Sequence, residues 1–460
     1  MITKIEIDGF KSFRKFSMTF SPFTVIAGIN ASGKSNLFDA LELLSRLADN
    51  DLKESFPDRR GTIQEQFTIL GDHVYQTTMS FAVELLVKRK LKDNWGAEVE
   101  LNSPRLRYEI AISIRKDEHG YDSLSVDFES LTKIPPEQDT WAKQFLGDDY
   151  KQIWKTQRSG GTKEPFIKTI TENGLPTIYI RQDARRGKKA AIGKASVAHR
   201  ISRTVLSGVY NTDFPHAFAA KEEMRKWRFM QLNPEVLRKP TIQDAKMSYE
   251  ISQDGANLAS ALYRIKGDNP SALIGISRLL NRFLPEYNSV DVIDDKSNKQ
   301  FLILLKNVDG KEFSSRVLSE GTLRILTLCI MQYDESYEGL LCFEEPENGI
   351  HPQRINDMLN LLEGLTVQFD EDNVLLRQVI VNTHSPKLIA CLCNAERLNY
   401  KIGVWLSKMV PMIAHTTENK KATLRVTKIT PVENNPFLEL FSNEENKMTA
   451  AALKDYLERN

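Results

Sequence analysis

Gly28-Ile-Asn-Ala-Ser-Gly-Lys-Ser35 (GINASGKS) is the stretch from which the rest of the chain can be understood. Gly28, Gly33, Lys34 and Ser35 satisfy GxxxxGK[ST] in full. In this pattern the glycines let backbone N–H groups turn inward around phosphates. The lysine reaches the β- and γ-phosphates, and the serine hydroxyl ligates Mg²⁺. Context separates such a loop from an incidental glycine turn. Phe23-Thr-Val-Ile-Ala27 reads as a short buried strand before it, and Leu37, Phe38, Leu41, Leu44 and Leu47 recur at helical spacing after it.

Working outward, Ile5 and Ile7 alternate with polar residues, as does Phe16 to Phe20, which predicts a hairpin ahead of the buried strand. Ser80 to Val87 and Leu106 to Ile114 alternate strictly, as antiparallel strands with one solvated face do. From about Pro135 to Pro285 the pattern loosens into amphipathic segments such as Phe214 to Phe229, which predicts a mainly helical insertion. Strand patterns return with FLILL at Phe301, LLCF at Leu340 to Phe343 and VIV at Val379 to Val381. The expected division is 1–134, a first lobe with the phosphate loop; 135–285, the insertion; and 286–460, a second lobe.

The 460 residues are 41% hydrophobic and 27% charged, with a formal net charge of +1, an ordinary globular composition. No apolar run is long enough to span a bilayer, the N-terminus lacks a secretion signal, and four cysteines are too few for a disulfide framework. A reducing cytoplasm is the expected compartment. Cys391-x-Cys393 lacks a second ligand pair for a metal and reads as free thiols.

Three further elements carry chemistry. Leu340-Leu-Cys-Phe-Glu344-Glu345-Pro346 is an apolar strand ending in two carboxylates. At the C-terminal edge of a parallel sheet, Glu344 would serve the Mg²⁺ shell through water, and Glu345 would orient and deprotonate an attacking water. Taken alone, the two acids also fit a solvated loop. Val317-Leu-Ser319-Glu320-Gly321-Thr322 opens an amphipathic helix, so Ser319 is at least an N-cap and its neighbouring N–H groups can face an anion. Val379-Ile-Val-Asn382-Thr383-His384-Ser385-Pro386 ends a buried strand in a histidine able to hydrogen-bond a γ-phosphate.

The order of phosphate loop, LSEG, acidic strand end and strand-end histidine resembles the ABC-type ATPases, in the branch of the SMC, RecF and overcoming-lysogenization-defect ATPases. GFKSF (Gly9 to Phe13), DGANLASAL (Asp254 to Leu262), FEEPENGIHP (Phe343 to Pro352) and NTHSP (Asn382 to Pro386) narrow it. They look like the AAA-like ATPases of bacterial anti-phage operons, the Septu-type subunit above all. The resemblance spans nearly the whole chain and is weakest in the insertion. It implies an α/β ABC-type head: a mixed sheet with the phosphate loop, an antiparallel β subdomain and a mainly helical insertion.

It also implies ATP and Mg²⁺ as ligands. Gly28, Asn30, Ala31, Ser32, Gly33, Lys34, Ser35 and Asn36 would hold the nucleotide, and Ser35 and Glu344 the metal. Lys34, Glu345 and His384 would act in hydrolysis. In such ATPases the LSEG element of one subunit completes the site of another, so Ser319 and Gly321 would close over nucleotide bound at Lys34 in a homodimer or a higher even-numbered assembly. Glu344 departs from the family's usual aspartate by one methylene, which bears on turnover more than on binding. A glutamine loop is expected after the first helix; Gln64, Gln66 and Gln76 are candidates, with Gln66 first as a metal contact.

Arg181 to Arg203 holds eight Arg/Lys against Asp183. Arg181, Arg185, Arg186, Lys188 and Lys189 could meet DNA, RNA or a protein partner, or merely lie on a solvated loop. The resemblance implies a sensor subunit that restrains a separate nuclease effector, an HNH nuclease or a topoisomerase-primase-like protein. A RecF-like DNA-binding repair ATPase is the alternative. A nuclease domain of its own is disfavoured because the 76 residues after His384 contain Gly403 alone among glycines and no acidic metal-binding layout. A transporter ATPase is disfavoured by the 285 residues separating Lys34 from Ser319.

Overall fold

A computed structural model of the chain describes residues 1–56, 61–71, 74–116, 119–146, 164–172, 175–181, 192–197, 202–244, 250–367, 369, 375–392, 402–415, 421–432, 453 and 455. At its centre is the strand Phe23–Ala27, buried at all five positions. Arg377–Thr383 and Ile402–His415 pair with it on either side, both parallel. Gly339–Glu344 runs parallel to Arg377–Thr383, and Arg228–Met230 parallel to Gly339–Glu344. Lys421–Pro431 closes the other edge as the antiparallel arm of a hairpin with Ile402–His415, making six strands.

The apolar runs FTVIA, LLCF and VIV are strands because a parallel sheet covered on both faces needs side chains that can be buried both ways. Alternation then sends them to two cores. Ile26, Leu340, Cys342 and Ile380 pack with Leu37, Leu41 and Leu44 of the helix Lys34–Leu47. Val25, Leu341, Phe343, Val379 and Val381 pack with Leu323 and Leu326 of the helix Glu320–Gln332 and with Leu359 of Ile355–Gly364. Mixed α/β architecture, with helices on both faces of the sheet, is therefore the fold.

Register decides what this sheet presents. Ala27 pairs with Thr383 and Glu344 with Asn382, so the phosphate loop, the acidic strand end and the histidine strand end all emerge along one edge. That is the carboxyl edge, where ligands of open α/β sheets bind.

The other large sheet is antiparallel and eight-stranded, and includes the expected strands as Thr78–Leu86 and Arg105–Lys116 beside Ile2–Asp8 and Phe16–Thr19. Ile167–Glu172, Leu175–Arg181 and Ile192–Val197 extend it. The stretch 135–285 is thus not helical throughout. It contributes these three strands before the helices Pro215–Arg225, Leu258–Asp268 and Pro270–Phe283. Gln300–Asn307, the FLILL strand, lies outside the parallel sheet in a small antiparallel one with Tyr287–Asp295, Glu312–Ser314 and Thr241–Ile242. Its alternating burial is that of a half-covered sheet. Among the described residues no helix is long and apolar enough to cross a membrane.

Candidate functional site

The phosphate loop owes its shape to two left-handed residues, Ala31 (φ 62°) and Gly33 (φ 94°). Mixing hands in this way turns successive N–H groups to one side and makes an anion nest. Gly28 N–H donates to Thr383 O at 3.2 Å, tying the loop to the histidine strand. The hairpin Ile402–His415/Lys421–Pro431 braces the opposite flank: Ser407 Oγ donates to Ser32 O at 2.8 Å, and Thr427 Oγ1 lies 2.6 Å from Ser12 Oγ. Ser12 Oγ in turn accepts from Asn36 Nδ2 at 2.8 Å.

Both signature glycines are required sterically. A Cβ on Gly28 would stand 2.6 Å from Ser32 Oγ, and one on Gly33 would stand 1.9 Å from Thr427 Oγ1. Gly33→Ala must bear a left-handed alanine, about 1–2 kcal/mol, and also displace Thr427. Its melting temperature is expected to fall by at least about 2 °C, and the upward shift expected of the wild type with ATP and Mg²⁺ is expected to be lost. A thermal melt with and without nucleotide checks both.

Lys34 is buried, and its ammonium donates to Gly28 O at 2.7 Å and Ile29 O at 2.8 Å. Burial draws its pKa below the usual lysine value, against the opposing pull of Glu345, Glu347 and Glu344. The carboxylates stand across a cleft of about 420 Å³ lined by Asn30 to Asn36, Glu344, Glu345 and Asn382. Glu345 has a left-handed backbone, φ 44°, a costly conformation that persists where the surroundings fix it. Here its N–H meets Asn382 O at 3.1 Å and Asn382 Oδ1 at 3.2 Å. Its Oε1 lies 2.6 Å from His384 Nδ1, and its Oε2 accepts from Asn348 Nδ2 at 2.9 Å. Both oxygens are thereby aimed. Asn382 Nδ2 also approaches Glu344 Oε1, at 3.4 Å.

The loop fits a polyphosphate. Besides the nest, Ser32 Oγ is buried and finds no partner among the described residues, a hydroxyl left over for a ligand. Ser35 and Glu344 share the cleft and supply the hard oxygen donors Mg²⁺ prefers; the ion would screen phosphate charge there. No cluster of three or more His, Cys, Asp or Glu able to hold a metal occurs among the described residues.

Other expected residues lie elsewhere. Gln66 does not line the cleft: it is buried on the short turn Gln64–Gln66, with its carbonyl accepting from Lys11 N–H. Gln64 bonds Asp122, and Gln76 accepts from Arg14. Ser319 caps the helix Glu320–Gln332, accepting from Thr322 N–H at 3.2 Å. It is exposed and, like Gly321, outside the cleft of its own chain. Gly321 packs on the acidic turn: a Cβ there would lie 2.8 Å from Gly349 O. Arg181 ends its strand in an ion pair with Glu164 at 3.2 Å. Arg185, Arg186, Lys188 and Lys189 lie outside the described residues.

Sequence reasoning left Asn382 without a role, although the NTHSP motif contains it. It gave no hint of Ser407 or Thr427, which strand order alone brings to the loop.

Comparison with curated proteins gives no match. Among solved structures, the chain is similar to the SmcHead bound to the C-winged helix domain of ScpA (12% identity, 93% of this chain and 98% of that one, TM-score 0.47). It is also similar to the Smc head with an extended coiled coil bound to the C-terminal domain of ScpA from Pyrococcus furiosus (12%, 94% and 96%, TM-score 0.45). A third is the SMC head domain from Thermotoga maritima (12%, 94% and 99%, TM-score 0.36). A family model matches residues 23–390, from the phosphate-loop strand to the helix after His384, and on that match the chain belongs to the family described as AAA domain, putative AbiEii toxin, Type IV TA system.

Proposed function

We propose that the protein binds ATP with Mg²⁺ in the carboxyl-edge cleft, dimerises around it, and hydrolyses it with Glu345 as base and His384 as its partner. The observation that carries this is the convergence of Lys34, Ser35, Glu344, Glu345 and Asn382 on one cleft, with His384 bonded to Glu345. Phosphoryl transfer asks for such an arrangement: a cation for the phosphates, an acid beside the metal and a carboxylate to aim water. ATP is then a bridging ligand favouring a closed dimer, and hydrolysis releases it.

The exposed Ser319, at a helix N-terminus outside the cleft of its own chain, supports closure by a second copy. Ser319→Arg is expected to abolish the ATP-dependent dimer while leaving the Kd of one subunit for ATP within about threefold, because it blocks the partner's loop and spares Lys34. Light scattering with ATP and Mg²⁺, beside a nucleotide titration, reads both quantities.

In this reading the switch governs a separate effector, a nuclease of an anti-phage system. The likeness of FEEPENGIHP (Phe343 to Pro352) and NTHSP (Asn382 to Pro386) to ATPases of anti-phage operons supports that setting. The test is co-purification with the product of the adjacent gene and mass measurement with and without ATP. A lone monomer under every nucleotide condition overturns both the dimer and the effector.

A further inference from the structure

Glu347 is the third acid of the FEEPEN turn, and nothing above gives it a task. Unlike Glu344 and Glu345 it does not line the cleft. It is 8% exposed, and its Oε1 accepts a hydrogen bond from Thr383 Oγ1, itself fully buried. Its Oε2 is buried with no partner among the described residues. A carboxyl group in that position is costly to keep unless it is held for a reason. Burial pushes its pKa above the usual carboxylate range, against the Thr383 hydrogen bond.

What Thr383 touches gives the reason. Its hydroxyl accepts from Ser385 N–H at 2.9 Å while donating to Glu347, and its carbonyl accepts from Gly28 N–H at 3.2 Å. His384 sits between those two anchored peptides and reaches Glu345 at 2.6 Å. Glu345 belongs to the same turn as Glu347, whose carbonyl accepts from Ile350 N–H at 3.0 Å. One side-chain link therefore spans the two strand ends that carry the base and its histidine, and continues through Gly28 into the phosphate loop.

We propose that Glu347, acting through Thr383, is a positioning residue that fixes the Glu345–His384 pair relative to the phosphate loop. The inference rests on the hydrolytic reading of the cleft. Glu347 touches no nucleotide and transfers no proton; its work is to keep two turns in register. Near-attack geometry is sensitive to such displacements, since a shift of about 1 Å can cost about 100-fold in rate.

The test uses the full chain and four substitutions. Thr383→Val and Glu347→Ala are each expected to lower kcat by at least about 30-fold with the Kd for ATP within about threefold. Thr383→Ser, which keeps the hydroxyl, and Glu347→Gln, which keeps an acceptor for it, are expected to stay within about threefold of wild type. The double variant Thr383→Val/Glu347→Ala should be no slower than the worse single one, because both break the same link. Losses that multiply, a Kd that rises in step with the fall in kcat, or an undiminished kcat overturn the proposal.

A measurement without turnover separates this failure from failure of the ATPase reading. With histidine-selective labelling, the His384 ring resonance, assigned by its disappearance in His384→Ala, should move in Thr383→Val and Glu347→Ala and hold in the two conservative variants. An unmoved resonance in folded protein overturns the positioning role whether or not the wild type hydrolyses ATP. A moved resonance in a chain with no ATPase activity upholds the link and overturns the hydrolytic reading alone.

Discussion

Lys34→Ala is expected to raise the Kd for ATP by at least about 100-fold. Lys34 is the cation of the phosphate loop, and three carboxylates, those of Glu345, Glu347 and Glu344, lie near enough to act on its ammonium. Without it a polyanion must enter a cleft whose remaining side-chain charges are acidic at Glu344 and Glu345. Two hydrogen bonds from a charged donor, now to Gly28 O and Ile29 O and in the complex to phosphate oxygens, are each worth about 1.5–3 kcal/mol. Losing about 3 kcal/mol is about 100-fold in Kd. The fold should survive, because burial already disfavours this ammonium and its removal relieves that cost. Calorimetric titration of ATP with Mg²⁺ reads the effect, and a melt of the unliganded variant guards against unfolding. A Kd within threefold of wild type would remove the phosphate loop from the site.

Part of this site was legible because its signals are local. The glycine spacing, the apolar runs before Gly28, Glu344 and Asn382, and the helical spacing after Ser35 each depend on neighbours in sequence. Strands with such runs are buried on both faces, so their placement side by side, and the convergence of their carboxyl ends, followed from the pattern. What failed depends on partners far along the chain. Leu175–Arg181 has a proline at its second position, and its assignment as a strand rests on pairing with Ile167–Glu172 and Ile192–Val197. Ser407 and Thr427 reach the phosphate loop only because Ile402–His415 pairs with Phe23–Ala27 and carries its hairpin partner alongside. Glu347 reads as a solvated loop acid, since acids are seldom buried, and only the closeness of two strand ends hides it. Gln66, expected as a metal contact, is buried outside the cleft lining, since position after the first helix says nothing about which way a side chain faces.

Glu345→Gln is expected to lower kcat for ATP hydrolysis by at least about 100-fold and to trap a nucleotide-bound dimer. The substitution keeps the shape of the side chain and removes its basicity. A glutamine Oε1 can still accept from Asn348 Nδ2, and its Nε2 can donate to His384 Nδ1 where the carboxylate now meets that nitrogen at 2.6 Å. The backbone at φ 44° stays pinned by Asn382, so the turn has no cause to move. Lys34, Ser35 and Glu344 keep their places, and the Kd for ATP should remain within about threefold of wild type or tighten as the dimer persists. On the proposed mechanism the lost step is proton removal from the attacking water, for which a positioned general base contributes about 10²–10⁴-fold. Single-turnover phosphate release measures that loss, and light scattering in ATP and Mg²⁺ measures the dimer. The two readouts together decide the role of Glu345. Slow release with a persistent dimer makes it the base of a switch, whereas release at the wild-type rate would move the base to another group, Glu344 of the cleft or His384 beside it.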